Sequence, residues 1–353
     1  VTLADVAAAS GVSVTTASLV LTGRARELRI SEAAESRVRS SAQELGYRRN
    51  SLPAGLRDRP SRTIGFVSDT VASSGLAGNM IKGAVDAAYR RGFMLFVGES
   101  GGDPKVERAL VEAMHDRRVD GIVFAAMYTR AVALPRGLHD GPVVLLNATP
   151  ATHSTAPSVL PDEVQAGRSA ARVLVEAGHV SGVHLIGAGP GLHDIPANSI
   201  AAVERLVGLR QVFKAAGIEV VSAQWCRQWM PENGYDATRK LLRHHRPKAL
   251  VCFNDRLAFG AYQALGEAGL AVPDDVSVIG FDDHPIASWM RPRLTTIALP
   301  HHELGARAVE VLLELFERRA RGGQGRVIHR VPMPLREGGS VARPQVEVFT
   351  LTT

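Results

Sequence analysis

Apolar positions recur along the chain in two different rhythms. In the first 23 residues the rhythm is helical. Thr2 can cap a helix through Asp5 in T-x-x-D spacing, with Val6 and Ala9 on its buried side. Gly11 breaks that helix, Val12 fills the corner, and Ser13 caps a second helix that runs to Gly23. On the second helix Ala17, Val20 and Leu21 share the face that packs, while Val14, Thr15, Ser18 and Leu19 share the other. That other face is small, uncharged and unusually apolar for a surface. It suits a major groove, where a methyl-bearing side chain meets a thymine methyl and a hydroxyl reaches a base edge. A turn between two short helices is equally common as a plain helical hairpin inside a larger core. Ser31 caps a third amphipathic helix through Ala42 and Leu45, ending at Gly46.

Past Gly46 the pattern changes twice. Residues 48–62 are polar and short of apolar periodicity, and a helix opened by Pro53 and interrupted by Gly55 is marginal on its own. From Thr63 onward, buried strands alternate with amphipathic helices. Strands are predicted over 63–68, 93–97, 121–125 and 142–146, with helices over 80–91 and 106–117. The pattern restarts with helices over 164–177, 202–216, 234–244 and 257–268 and strands over 183–186, 219–222, 249–253 and 276–280. Such alternation predicts an α/β fold of two doubly wound parallel sheets covered by helices, with a ligand cleft between the two units.

Charge sharpens the reading of the N-terminal segment. Its first 62 residues hold ten arginines, no lysine and six acids, so 10 − 6 = +4 of the chain's +6 lies there. Positive charge concentrated on a small helical unit is the electrostatic footprint of phosphate binding, which favours the DNA-binding reading over the plain hairpin. With 353 residues and 45% hydrophobic positions, the chain can bury more than one core. No stretch approaches about 20 continuous apolar residues, so no membrane span is expected. The N-terminus enters a capped helix directly, without a basic, apolar and small-residue leader, and a cytoplasmic location is expected. Cys226 and Cys252 are too few for a disulfide framework.

At this level of detail the sequence resembles the lactose-repressor/galactose-repressor family of bacterial transcription regulators. The resemblance rests on Asp5-Val6-Ala7, Gly11-Val12-Ser13, Thr16 and Ser18 ahead of Val20-Leu21, and Glu44-Leu45-Gly46-Tyr47 with Asn50. It continues through Thr63-Ile64-Gly65, Arg118-Val119-Asp120-Gly121-Ile122, Asn254-Asp255-Arg256 and the run from Val272 to Asp283, and closes with Leu294-Thr295-Thr296 and Glu303-Leu304-Gly305. It implies a three-helix head over 1–47, a hinge helix and linker over 48–62, and a core over 63–353 like that of periplasmic sugar-binding proteins. In that core one lobe would hold 63–158 and 289–322, and the other 159–288 and 323–353. The chain would cross near Val159, Ser288 and Gly323, with the helix over 302–319 returning to the first lobe.

The resemblance also implies roles. Val14, Thr15 and Leu19 stand where base-reading side chains stand, Thr16 and Ser18 where phosphate contacts fall, and Tyr47 and Asn50 join that DNA-facing set. Leu56 matches the hinge leucine that wedges into the minor groove. In the core, Leu76, Asn147, Arg205, Trp229, Asn254 and Asp282 match effector-pocket positions. A bidentate arginine and a carboxylate suit hydroxyl groups, and an aromatic plane covers a sugar ring. Taken singly, Asp282-Asp283 reads as a turn and Trp229 as core.

Other chemistries are poorly served. Gly187-Ala188-Gly189-Pro190-Gly191 follows a strand but is not G-x-G-x-x-G, and Pro190 removes an amide that would face phosphate. The pairs His244-His245 and His301-His302 have no cysteine or carboxylate at ligand spacing, so no metal is expected. No G-x-S-x-G elbow occurs, and neither an enzyme site nor a cofactor is indicated. The expected function is that of a cytoplasmic, nucleoid-associated repressor: a homodimer on double-stranded operator DNA, controlled by a small effector, a carbohydrate before a purine or other metabolite. The competing class is a solute-binding or sugar-metabolising protein with a helical appendage.

Overall fold

The computed structural model describes residues 2–21, 23, 25, 30–45, 47, 61–189, 191, 194–196, 199–319 and 327–342. Contacts divide the chain into two units, Val1–Ser61 and Arg62–Thr353.

The N-terminal unit is built from α1 (Leu3–Ser10), α2 (Val14–Leu21) and α3 (Glu32–Glu44). At the start of α1 the Thr2 hydroxyl accepts from the Asp5 amide at 3.2 Å, and the Asp5 carboxylate accepts from the Thr2 amide at 2.7 Å. This reciprocal box satisfies two orphan donors, and the Thr2 amide, with the Thr2 hydroxyl beside it, holds the Asp5 carboxyl below its ordinary range. Gly11 takes φ 66°, a left-handed value that ends α1. The Ser13 hydroxyl accepts from the Thr16 amide at 3.0 Å to start α2, which turns from α1 by 103°. That angle belongs to a helix-turn-helix. The core is Val6, Ala7, Ala17, Val20, Ala25, Val38 and Ala42, with Val12 and Leu21 packed against it. Ala9, expected on the buried side of α1, is exposed. The apolar stripe instead runs through Leu3, Val6, Ala7 and Ser10, in i, i+3, i+4, i+7 spacing. Arg37 Nε donates to the Ser10 carbonyl at 3.2 Å and ties α3 to the end of α1.

The second unit has two six-stranded sheets. The first contains β1 (Thr63–Ser68), β2 (Met94–Glu99), β3 (Gly121–Val132), β4 (Val143–Pro150), β5 (Ser158–Pro161) and β11 (Ile328–Val331). The second contains β6 (Val183–Gly187), β7 (Val220–Trp225), β8 (Ala249–Cys252), β9 (Ser277–Asp282), β10 (Thr295–Ala298) and β12 (Leu335–Arg336). Their orders, β2-β1-β3-β4-β5-β11 and β7-β6-β8-β9-β10-β12, repeat one another, so the two lobes share one doubly wound plan. Every pairing is parallel except the short β10–β12 pair. The inner strands β1 and β6 are almost wholly buried, as strands covered on both faces of a parallel sheet are.

Helices α4 (Gly78–Arg90), α5 (Pro104–Asp116) and α11 (His301–Arg319) clothe the first sheet. Helices α6 (Glu163–Glu176), α7 (Ile200–Ala215), α8 (Pro231–Leu242), α9 (Asp255–Glu267) and the short α10 (Pro285–Trp289) clothe the second. Three helix pairs cross through reciprocal glycines: Gly83 with Gly305 between α4 and α11, Gly167 with Gly208 between α6 and α7, and Gly234 with Gly260 between α8 and α9. A Cβ at any of the six would overlap the partner helix's backbone. The absence of side chains there lets each pair lie close enough to act as one slab.

The lobe boundaries differ from those implied by the resemblance. β5 still belongs to the first sheet, so the first crossing follows Pro161 and not Val159. β10 still belongs to the second sheet, which moves the second crossing from Ser288 to the segment between Ala298 and His301. β11 rejoins the first sheet and β12 the second, which puts the last crossing after Val331 and not near Gly323. In each case the chain completes a strand before leaving, which satisfies that strand's backbone groups. All three crossings therefore leave the carboxyl end of a strand, the side of a doubly wound sheet where ligands bind.

Candidate nucleic-acid interface and effector site

In the head, α2 divides as its pattern predicts. Ala17 and Val20 are buried, Thr15 is exposed, and Val14 is 49% exposed, high for a valine in a folded unit. Thr16, Ser18 and Leu19 are half-buried along the flank of the helix. The Thr16 hydroxyl lies 2.8 Å from that of Ser13, so it completes the cap as well as lining the face. Tyr47 is placed differently from the rest of the expected DNA-facing set: it packs against the head's own core. Asn50 and Leu56, with the hinge segment 48–60, lie outside the described residues.

In the core, four of the six expected effector residues meet at the carboxyl ends of the second sheet. Arg205 projects from α7 and is 3% exposed. Its Nε and Nη2 donate to the two carboxylate oxygens of Glu163 at 2.6 and 3.0 Å, and Nη2 also donates to Asp282 at 3.0 Å. Nη1 donates to the Phe253 carbonyl. The guanidinium lies over the Phe281 ring at 4.6 Å and faces Trp229 at 6.0 Å. Burial alone would pull this guanidinium down, but the charges and hydrogen bonds of Glu163 and Asp282 outweigh it and hold Arg205 above its ordinary value. Burial pushes the Glu163 carboxyl up. Both its oxygens nevertheless accept from the guanidinium, an arrangement that calls for the ionised form.

Trp229 is fixed by its Nε1 donating to the Gly187 carbonyl at 3.1 Å and by a tilted contact with Phe253. Asn254 joins the site as a brace and not as an open ligand. Its Oδ1 accepts from the Leu257 amide at 2.8 Å, capping α9, and its Nδ2 donates to the Trp229 carbonyl at 3.1 Å. Asp282 closes β9 at φ 101°, a strained value for a residue with a side chain. Behind it Asp255 is fully buried, accepting from the Thr296 hydroxyl at 2.7 Å and the His284 amide at 2.8 Å. His301, buried at the second crossing, lies within the field of Asp282, and burial lowers its pKa.

Asn147 and Leu76 belong to the first lobe. Asn147, at φ 55° in β4, is buried, donates to the Ala126 carbonyl at 3.2 Å and accepts from the Thr129 hydroxyl at 2.5 Å. Leu76 is half-buried between β1 and α4. At the end of β1, Asp69 accepts from the Met127 amide at 3.0 Å and pairs with Arg130 at 2.7 Å. Glu163, Asp69 and Arg130 carry no signal in the sequence, since each partner is distant along the chain, and His301 shows there only as half of a histidine pair without ligand spacing. A side-chain ion pair joins the lobes: Arg330 on β11 grips Glu204 on α7 with both Nη atoms and also donates to the Pro161 carbonyl. Among the described residues no group of three or more His, Cys, Asp or Glu is arranged to hold a metal, and no single helix is long and apolar enough to cross a membrane.

Two family models match the chain. Residues 2–50 match bacterial regulatory proteins of the lacI family, and 63–333 match periplasmic binding proteins and the sugar-binding domain of the LacI family. The ribose operon repressor of Escherichia coli (strain K12) is 30% identical over 316 residues, covering 88% of this chain and 92% of that one. The HTH-type transcriptional repressor PurR of Klebsiella pneumoniae (strain 342) is 31% identical over 333 residues, covering 93% and 94%. The crystal structure of the lac repressor dimer bound to operator shares the fold, with a TM-score of 0.66 at 24% identity over 97% of this chain and 99% of that one. A capped helix-turn-helix, two lobes of one doubly wound plan and a polar cluster at their strand ends thus coincide with models that span both units, and the chain belongs to the LacI family of bacterial transcription regulators.

Proposed function

We propose that the protein is a transcriptional repressor that binds an operator through α2 and is switched by a small effector held between the lobes. The observation that carries this is the union, in one chain, of an exposed recognition face on α2 with the Arg205–Asp282–Trp229 cluster at the strand ends of the core. The head supplies phosphate attraction through its arginines and base contact through Val14 and Thr15, with Thr16, Ser18 and Leu19 alongside. Segment 48–62 is the hinge, with Leu56 as its minor-groove wedge. The protein works as a homodimer on a near-palindromic site, because one head buries too little surface for useful specificity. The edge of the first lobe supports that assembly, since Tyr89 on α4 and Met94 on β2 are 78% and 65% exposed. Its role is binding and not catalysis, and it acts in the bacterial cytoplasm at the nucleoid.

The effector is a carbohydrate, as the name of the E. coli relative suggests for that protein. Asp282 and Arg205 offer an acceptor beside a donor, the pattern a hydroxyl satisfies on both sides. A purine is the second reading, favoured by the comparable similarity to PurR and by the Trp229–Phe253 aromatic wall. A gel shift on the DNA upstream of the protein's own gene, repeated with a panel of sugars and nucleobases, tests both. A specific complex altered by one panel member is expected, and no specific complex with any upstream fragment contradicts the proposal.

A further inference from the structure

The charges around Arg205, at the strand ends of the second lobe, do not balance, and the imbalance says what the site will refuse. The Arg205 guanidinium already faces two carboxylates, Glu163 and Asp282. Glu163 is 1% exposed and occupies two of the five N–H donors of Arg205. Asp282 and the Phe253 carbonyl take two more. One Nη1 hydrogen remains for a ligand, and Asp282, bonded to Nη2 through one oxygen, keeps a second oxygen that takes no bond from Arg205. Donor and acceptor side by side suit a hydroxyl, which accepts from one and donates to the other. A phosphate or carboxylate only accepts, and it would enter beside a surplus negative charge in a setting screened little by water.

Two further features point the same way. The glycine loop after β6 is the natural place for a phosphate, but its described amides are turned to Asp194. Gly189 N–H donates to the Asp194 carbonyl at 2.6 Å and Gly191 N–H to its carboxylate at 3.2 Å. Arg130 in the first lobe and Arg336 beside β9 are likewise paired, with Asp69 and Asp283.

We propose that this cleft selects an uncharged polyhydroxylated effector and refuses its phosphorylated or carboxylated counterparts, with Glu163 as the residue that sets the preference. Glu163 acts by neutralising Arg205 from behind; it is a positioning and charge-setting residue with no ligand contact of its own. The inference rests on the cleft being the effector site.

The test is calorimetric titration of the full chain with matched sugars: D-ribose against D-ribose 5-phosphate, and D-glucose against D-glucose 6-phosphate and D-gluconate. A sugar that binds is expected to do so at least about tenfold more tightly than its charged counterpart, one step of ~1.4 kcal/mol. Glu163→Gln keeps the shape and removes the charge, so it should narrow that ratio severalfold. Should E163Q fail to fold by circular dichroism, Asp282→Asn removes the second carboxylate at a part-exposed position and should narrow the ratio likewise. A phosphate or carboxylate that binds the wild type as tightly as its parent sugar overturns the inference while leaving the carbohydrate reading intact. A folded E163Q with an unchanged ratio overturns the role of Glu163. Binding of a purine and of no sugar sinks the carbohydrate reading, and this inference with it.

Discussion

Arg205 holds the core's polar chemistry together, and its environment makes a sharp stability prediction. Removing one partner of a buried ion pair strands the other, at a cost of about 3–5 kcal/mol. Arg205→Ala should therefore lower the unfolding free energy of the core by that amount, read from the urea midpoint of the full chain. Pairing Arg205→Met with Glu163→Leu should recover most of it; no recovery would mean the pair is worth more than a hydrophobic replacement. A second residue-scale prediction concerns His184, buried on β6 with its Nδ1 2.8 Å from the Ser222 hydroxyl. Burial, with the neighbouring His245 ring, pushes it down to about 4 from an ordinary 6.5. The unfolded chain then binds the extra proton between those values and the folded chain does not. Stability should fall as pH drops from about 6.5 toward 4, by up to about 1.4 kcal/mol per pH unit from this residue. His184→Gln should flatten that slope in thermal melts, and an unchanged slope would assign it to other imidazoles. At this scale the sequence is uneven. Arg205, Trp229 and Asp282 stand out only through the family resemblance, since taken singly Trp229 reads as core and Asp282 as a turn. Glu163 is not, because it lies 42 residues from its partner and reads as an ordinary acidic residue in the first turn of a helix. The resemblance marks Asn254 as a ligand position, but an asparagine there serves equally as a helix cap, and the fold shows its amide engaged with Leu257 and Trp229.

At the scale of elements, the paired glycines make the helices of each lobe interdependent. Gly208 sits one turn from Arg205 on α7 and faces the Val164 carbonyl on α6. Gly208→Ala should force the two helices apart, costing about 1–3 kcal/mol. It should also weaken effector binding, since α7 carries Arg205 and α6 carries Glu163. Unaltered melting of this variant would mean the crossing is looser than described. In the head, Thr2→Ala removes one half of the capping box and should cost about 1 kcal/mol. Amide exchange at the start of α1 reads that loss directly, and unchanged exchange at Asp5 would contradict the box. The long helices and most longer strands are legible from periodicity within a few residues, but β3 runs seven residues past its predicted end at Ala125, through a register shift, to Val132. β5, β10, β11 and β12 are not legible, because strands of two to four residues show no period and their pairing is with distant segments. β5, β10 and β11 are the strands that set where the three crossings fall.

At the scale of the molecule, two lobes of one plan are joined by three crossings, with Arg330 and Glu204 clasped across the gap. An effector that touches Arg205 bears on the helix that carries Glu204, so filling the cleft and moving the lobes are mechanically linked. Linkage then requires that a ligand alter DNA affinity only through contacts that differ between the two arrangements. The arginine-rich head adds a condition: operator affinity should fall steeply between low and physiological salt through counterion release, and an insensitive binding constant would argue against phosphate-led docking. The most direct test of the whole account is an anisotropy titration of a labelled operator fragment with the full chain, alone and saturated with a sugar that calorimetry shows to bind. The account predicts a change in operator Kd of at least about fivefold, within the usual range of allosteric coupling. A sugar that occupies the core and leaves operator Kd unchanged would contradict it.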